Sequence, residues 1–302
     1  MDPTKKKGVY LGLDIGGTAI KAVSFQLPDK LVGEFECASR ASEEPEKVRG
    51  ALSHCIRHFT QDGLIPNGVG IGCAGSVDHG RGVVRNSPNF KNWHNVPLRE
   101  WVTADVKVAV TVENDANCAM FAEWRLGSAR GCRNALLLTF GTGIGGGLIL
   151  NEHLFRGSTG SAAELGHLTI HADGIACACG NTGCFERYCS GSALMAKFPE
   201  VKTVAEFFER QHDSRYQEGM HDFLHDMKVG ITSLANVFDP DLILIGGGIA
   251  EGIAPHCDEI QTWVQEHAFP AVAQHVRIVR TKLKNLSGAI GAALLASETS
   301  AT

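Results

Sequence analysis

The feature that most narrows the fold of this 302-residue chain is a strand–glycine turn–strand pattern that occurs twice. Residues 9–25 read Val-Tyr-Leu-Gly-Leu-Asp14-Ile-Gly16-Gly17-Thr18-Ala-Ile-Lys21-Ala-Val-Ser-Phe. Apolar runs on either side of a Gly/Thr turn are a hairpin signal. Residues 135–150 repeat the plan as Ala-Leu-Leu-Leu-Thr139-Phe-Gly141-Thr142-Gly143-Ile-Gly-Gly-Gly-Leu-Ile-Leu. Self-similarity at this separation predicts two lobes built alike, each opening with a hairpin.

The stretches between fill in helices and further strands. Val48, Leu52, Cys55, Ile56 and Phe59 recur at helical spacing, so a helix is predicted over 45–62. A short apolar strand follows at 69–73, then a polar loop at 86–97, then a β-branched strand at 106–112. Glu113-Asn114-Asp115 leads into a helix that runs to Leu126 and stops at Gly127, a residue suited to the position just past a helix end. Residues 203–238 read as mostly helical, looser near 212–219. Asp239-Pro240-Asp241 is a turn. A buried strand at 242–245 ends in Gly246-Gly247-Gly248. Helix is predicted over 262–274, with Pro270 as a kink or stop, then strand over 276–281. A last helix of small residues opens at Ser287. Strands alternating with helices make this an α/β chain.

One further stretch carries its own chemistry. Glu164-Leu-Gly-His167 is followed by Cys177-Ala-Cys179-Gly-Asn-Thr-Gly-Cys184-Phe-Glu186. One His nitrogen and three thiolates form a closed tetrahedral set for Zn²⁺, with no position left for water, which marks a structural site. Such an ion would fold a loop with few apolar residues of its own, and Gly180 and Gly183 let it turn tightly. The alternative is a group of free cysteines beside a core histidine.

The glycine turns have two readings. Gly16, Gly17, Thr18 and Gly141, Thr142, Gly143 are plain hairpin turns, or they let backbone N–H groups approach a phosphate. Asp14 at the end of its strand could hold Mg²⁺ directly or through water. Lys21 adds charge near the phosphates or is solvated. Gly246, Gly247 and Gly248 form an ordinary strand-to-helix turn or approach an adenosine. Asp115 is an N-cap or a general base. No Gly-Lys-Ser/Thr of a Walker loop and no Rossmann fingerprint is present.

Glu-x-Gly-His followed by Cys-x-Cys-Gly-x-x-Gly-Cys-x-Glu resembles the signature of the ROK family of repressors and sugar kinases, and among its members the glucokinases. Pro88-Asn89-Phe-Lys-Asn-Trp93 is similar to the family's Pro-Asn-x-x-x-Trp loop. The paired hairpins resemble the actin, hexokinase and Hsp70 ATPase fold. The resemblance therefore implies a two-lobed actin-like (RNase H-like) α/β fold with duplicated hairpin-led lobes, which clasp a nucleotide, and a zinc-bound loop. It divides the chain into an N-terminal lobe at 1–118, with a C-terminal helix at 287–302 packing back on it, and a C-terminal lobe at 119–286. It implies ATP with Mg²⁺, a structural Zn²⁺ on His167, Cys177, Cys179 and Cys184, and transfer of the γ-phosphoryl group to the 6-hydroxyl of a hexose. Asp115 becomes the base. Gly75, Asn89, Asn114, Glu164, His167 and Glu186 become sugar contacts. Asp14, Gly16, Gly17, Thr18, Lys21, Thr139, Gly141, Thr142, Gly143 and Gly246 to Gly248 surround the nucleotide. Glucose is the expected acceptor; N-acetylmannosamine, N-acetylglucosamine and fructose are the alternatives, and a sugar-binding regulator without catalysis is a third reading. Trp93 is expected to pack rather than to stack on substrate.

Composition excludes several classes. Net charge is −5, against a general nucleic-acid surface. With a hairpin starting at Val9, no helix-turn-helix domain is expected ahead of it, so DNA-binding regulation is not the expected role. No apolar run of about 18 residues occurs, so no spanning helix is expected, and Lys5-Lys6-Lys7 is not followed by an apolar signal-peptide core. Ten cysteines without a secretion signal suit a reducing cytosol. Seven of them (Cys37, Cys55, Cys73, Cys118, Cys132, Cys189 and Cys257) are expected to be small buried hydrophobes. A cytoplasmic enzyme of carbohydrate metabolism, homodimeric by family analogy, acting on a sugar and ATP with no nucleic acid or membrane partner, is the expectation.

Overall fold

A computed structural model describes residues 8–87 and 90–299. Lys5-Lys6-Lys7, Pro88 and Asn89 lie outside the described residues. The chain divides into two compact units. The first comprises 1–126, 156–162 and 285–302; the second comprises 127–155 and 163–284. The first unit thus runs to Leu126 rather than stopping at 118, and it also takes in a short segment from mid-chain.

In the first unit β1 (Val9–Ile15) and β2 (Ala19–Gln26) form the expected antiparallel hairpin. β3 (Lys30–Ala38), which was not anticipated, extends it as an edge strand. Helix α1 (Pro45–Thr60) buries Val48, Leu52, Cys55 and Ile56, its predicted apolar face. β4 (Gly68–Cys73) then pairs parallel to β1. The loop read as polar holds more structure than expected. β5 (Ser76–Asp78), β6 (Val83–Asn86) and β7 (His94–Val96) make a small antiparallel sheet, and α2 (Leu98–Asp105) follows. β8 (Ala109–Asn114) pairs parallel to β4 and runs directly into α3 (Asp115–Arg125). Strand order is β3-β2-β1-β4-β8. Trp93 is 1% exposed and stacked on Phe90, so it packs as expected.

The C-terminal helix (Ser287–Thr299) completes this unit. Gly288 to Ala296 are buried on all sides. A side chain on Gly12 would strike the carbonyl of Ala289, and one on Gly70 that of Ala292. Bare backbone on β1 and β4 is therefore what lets this helix lie against the sheet.

The second unit has the same sheet plan, β11-β10-β9-β12-β13. β9 (Ala135–Phe140) and β10 (Ile144–Leu150) form the second hairpin, and the two-residue β11 (His153–Leu154) lies at the edge. Helices α4 (Glu186–Cys189), α5 (Gly191–Lys197), α6 (Val204–Glu209) and α7 (Ser214–Phe238) precede β12 (Leu242–Gly246). Residues 214–219 are helical, contrary to the looser reading; only the turn at 210–213 separates α6 from α7. After β12 come α8 (Ala250–Ile253), α9 (Cys257–His267) and α10 (Pro270–Ala273), then β13 (Arg277–Arg280), parallel to β12. Pro270 starts α10 instead of kinking a longer helix, as its missing N–H suits the first helical turn.

Two mixed α/β sheets of this kind are typical of the actin-like ATPase superfamily. Outside the metal cluster, Cys55, Cys73, Cys118 and Cys189 are buried, while Cys37, Cys132 and Cys257 are half-buried. Among the described residues no helix is long and apolar enough to cross a membrane.

Candidate functional site

In the first unit the polar candidates collect at the carboxyl ends of three parallel strands, where ligands bind in open α/β sheets. Asp14, Gly72 and Glu113 are register partners across β1, β4 and β8. Asp14 also faces Lys21 across the hairpin. The turn after β1 is closed by Gly16 N–H donating to Ala19 O at 2.9 Å, with Gly17 and Thr18 exposed. Desolvation, with Asp115 adding to it, pushes the Asp14 carboxyl up to about 7, against the pull of Lys21.

Asn114, not Asp115, is the cap of α3. Its Oδ1 accepts from Asn117 N–H at 3.1 Å, and its Nδ2 donates to Gly75 O at 3.2 Å. Asp115 is the first helical residue, and its Oδ1 accepts from Ala116 N–H at 2.9 Å. Burial raises its pKa, partly offset by backbone N–H groups. Gly75 has φ of +110°, so its residue type is accounted for by backbone conformation.

Two residues here were not anticipated. Glu113 is 2% exposed and pairs with Arg156, whose Nε donates to its Oε2 at 2.6 Å. Nothing in their spacing links them; the available signal was a carboxylate at the end of a buried strand, which needs a cation.

In the second unit the two glycine stretches meet. Ile249 N–H donates to Phe140 O at 3.1 Å, so the turn at Gly246 to Gly248 abuts the one at Gly141 to Gly143. Gly246 is the register partner of Thr139. Gly191 N–H donates to Gly141 O at 2.7 Å, which ties the hairpin turn to the start of α5.

The metal candidates converge beside that turn. A 3-10 turn at Leu165–His167 presents His167, and Gly180 and Gly183 take the positive φ that the tight loop needs. His167, Cys177, Cys179 and Cys184 bring one ligand atom each within 4.8 Å of one another. The Cys177 Sγ to His167 Nδ1 distance is 3.7 Å, and Cys179 Sγ to Cys184 Sγ is 3.6 Å. A tetrahedron with standard Zn–S and Zn–N bonds has edges of about 3.5–3.8 Å, so the residues present fit the ion. Burial, with the neighbouring thiols, pushes Cys184 up to about 12, whereas the Asn181 N–H pulls Cys179 down. A bound cation would override both, because thiolates would be its ligands. The loop has a second anchor: His171 Nε2 lies 2.8 Å from Asp226 Oδ1 on α7.

His167 turns Nδ1 to the thiols and Nε2 toward Glu164, 4.0 Å from its Oε2. The Cys177 thiol donates to Glu186 Oε1 at 3.3 Å. Glu164 and Glu186 thus flank the cluster as the motif implied. Asn89 lies outside the described residues.

Residues 10–299 match the ROK family. The chain belongs to the ROK family. It is 33% identical over 318 residues to a glucokinase of Streptomyces coelicolor, covering 96% of this chain and 98% of that one. Its fold matches the crystal structure of a ROK family glucokinase from Streptomyces griseus in complex with glucose and AMPPNP, with a TM-score of 0.82, 31% identity, and 96% of this chain and 100% of that one covered. It is also similar to a xylose repressor of Bacillus spizizenii, at 28% identity over 298 residues, covering 95% of this chain and 76% of the repressor. ROK membership thus spans an enzyme and a regulator, and the residues must separate them.

Proposed function

We propose that this ROK protein is an ATP-dependent hexose kinase that phosphorylates the 6-hydroxyl, with glucose as the preferred acceptor. The observation that carries the reading is Asp115. It is a half-buried carboxylate with a raised pKa at the first turn of α3, at the carboxyl ends of the strands beside Asp14. A carboxylate with raised proton affinity suits general-base work on a hydroxyl. The likeness to glucokinases, one of them holding glucose and an ATP analogue, supports the choice of sugar and donor.

In this reading Asp115 takes the proton of the sugar's primary hydroxyl as that oxygen attacks the γ-phosphorus, and ADP leaves. Asn114, Gly75, Glu164, His167 and Glu186, together with Asn89, hold the other hydroxyls. Amide donors suit these roles because one amide can both donate and accept. Backbone N–H groups at Gly16 to Thr18 and Gly141 to Gly143, with Lys21 and Thr139, bind phosphate oxygens, and Gly246 to Gly248 accommodate the adenosine. Positioning and charge stabilisation dominate such transfers. Asp14 would hold Mg²⁺, which supplies charge neutralisation on the phosphates. Zinc on His167, Cys177, Cys179 and Cys184 would be structural. By family analogy the protein works in the cytoplasm as a homodimer.

The test is ADP release with Mg-ATP against glucose, mannose, fructose, N-acetylglucosamine and N-acetylmannosamine. A clear preference for glucose is expected. Preference for an N-acetylated sugar or fructose would change the substrate and keep the kinase. Binding of sugar without turnover would favour a regulator.

A further inference from the structure

We infer that Arg156 is a positioning residue for the turn that carries Asn114 and Asp115. The inference rests on the kinase reading for its consequence, though not for its geometry. Glu113 is the last fully buried residue of β8 and spends both carboxylate oxygens on one structural task. Its Oε1 accepts from the Asn114 backbone N–H at 3.0 Å and from Asn117 Nδ2 at 3.1 Å. Its Oε2 accepts from Arg156 Nε at 2.6 Å. The first two bonds hold the residues on either side of Asp115. The third gives the buried carboxylate a guanidinium partner on its other oxygen.

Arg156 is held in turn by the segment it begins. Ala162 N–H donates to Arg156 O at 3.1 Å, closing 156–162 into a loop. Ser161 Oγ lies 2.8 Å from Ser76 Oγ, and Arg85 Nη1 donates to Thr159 O at 2.7 Å. These contacts tie the segment to the small β5-β6-β7 sheet of the first unit. The guanidinium therefore reaches Glu113 from a fixed backbone. Without it, Glu113 loses the partner on Oε2 and its carboxylate can turn away. That turn weakens the bonds to Asn114 and Asn117 and rotates the start of α3, which carries Asp115. An ångström of displacement of a reacting group costs about 10²-fold in rate.

The test compares Arg156→Met, Arg156→Lys and the double replacement Glu113→Gln with Arg156→Met. Arg156→Met is expected to lower kcat by about 10²-fold with little change in sugar Kd. Arg156→Lys should recover a substantial part. The double variant should also recover, because a neutral amide oxygen still accepts from Asn114 and Asn117 without needing a cation. A purely structural role would lower stability without this split between kcat and sugar Kd. Hydrogen exchange at 114–117 should quicken in Arg156→Met and return in the double variant. That readout needs no substrate, so a wild-type protein inert to every sugar would end the kinase reading and leave this inference decided by exchange alone. Unchanged exchange in Arg156→Met, or a double variant no better than Arg156→Met, would overturn it.

Discussion

Glu186 Oε2 occupies the space that a side chain on Gly143 would fill: a Cβ there would lie 2.8 Å from that oxygen. The other oxygen of the same carboxylate takes the Cys177 thiol hydrogen. One side chain thus touches both the glycine turn after β9 and the thiol cluster.

Gly143→Ala tests that relationship. The obstructed atom is the far end of a flexible side chain, which can swing aside at small cost. Stability should change by less than about 1 kcal/mol. The KM for sugar should rise about tenfold, the effect of losing roughly 1.4 kcal/mol of binding. Steady-state kinetics and thermal unfolding measure the two. A stable variant with unchanged KM would remove Glu186 from the sugar contacts.

Asp115→Ala should lower kcat by about 10²- to 10⁴-fold and leave sugar binding by calorimetry largely intact. The cap of α3 belongs to Asn114, so the helix should survive the change. Turnover near the wild-type level would show that another group takes the proton.

Metal removal should act on both stability and affinity. A strong chelator is expected to lower the unfolding temperature and weaken sugar binding together, because His167 serves the cluster with one nitrogen and faces Glu164 with the other. Cys179→Ser, at the exposed ligand, should move both in the same direction. Metal analysis by mass spectrometry identifies the ion. An active, equally stable metal-free protein would end the zinc assignment.

Asp14 gives a pH signature. Its carboxyl keeps a proton up to about 7 in the fold, whereas in the unfolded chain it releases it near its ordinary value of 3.8. Its contribution to stability is therefore complete below about pH 4 and is lost as pH rises through about 7. Asp14→Asn should flatten that decline and be more stable than wild type at pH 8 by roughly 2 kcal/mol, after allowance for partial exposure. Denaturant unfolding from pH 5 to pH 8 without added Mg²⁺ checks this. Parallel curves for the two proteins would show that Asp14 is ionised throughout.

The two hairpins and the His/Cys cluster able to hold a metal were legible because each is local: alternating apolar runs around glycine, and four side chains within one loop. Helix α7 was legible only in part. Its polar surface around residue 215 hid the helical recurrence of Tyr216, Met220, Phe223 and Met227 on the buried face. β3 escaped notice because it is an edge strand, whose outward Glu34 and Glu36 alternate with only half-buried Phe35 and Cys37. In the Glu113–Arg156 pair only the carboxylate at the end of a buried strand was readable, and not its partner. It joins a strand end to a distant loop, and electrostatic partners of that kind are set by tertiary folding rather than by spacing.

The helix Ser287–Thr299 lies against Gly12 and Gly70, so the first unit closes with a segment made after the whole of the second. During synthesis β1, β4 and β8 emerge long before their covering helix and must wait, with an apolar face open, until the ribosome has delivered the second unit. The first unit is in this sense finished only after the second has been made, and a nascent chain cut short before Ser287 carries an uncovered sheet for quality control to find.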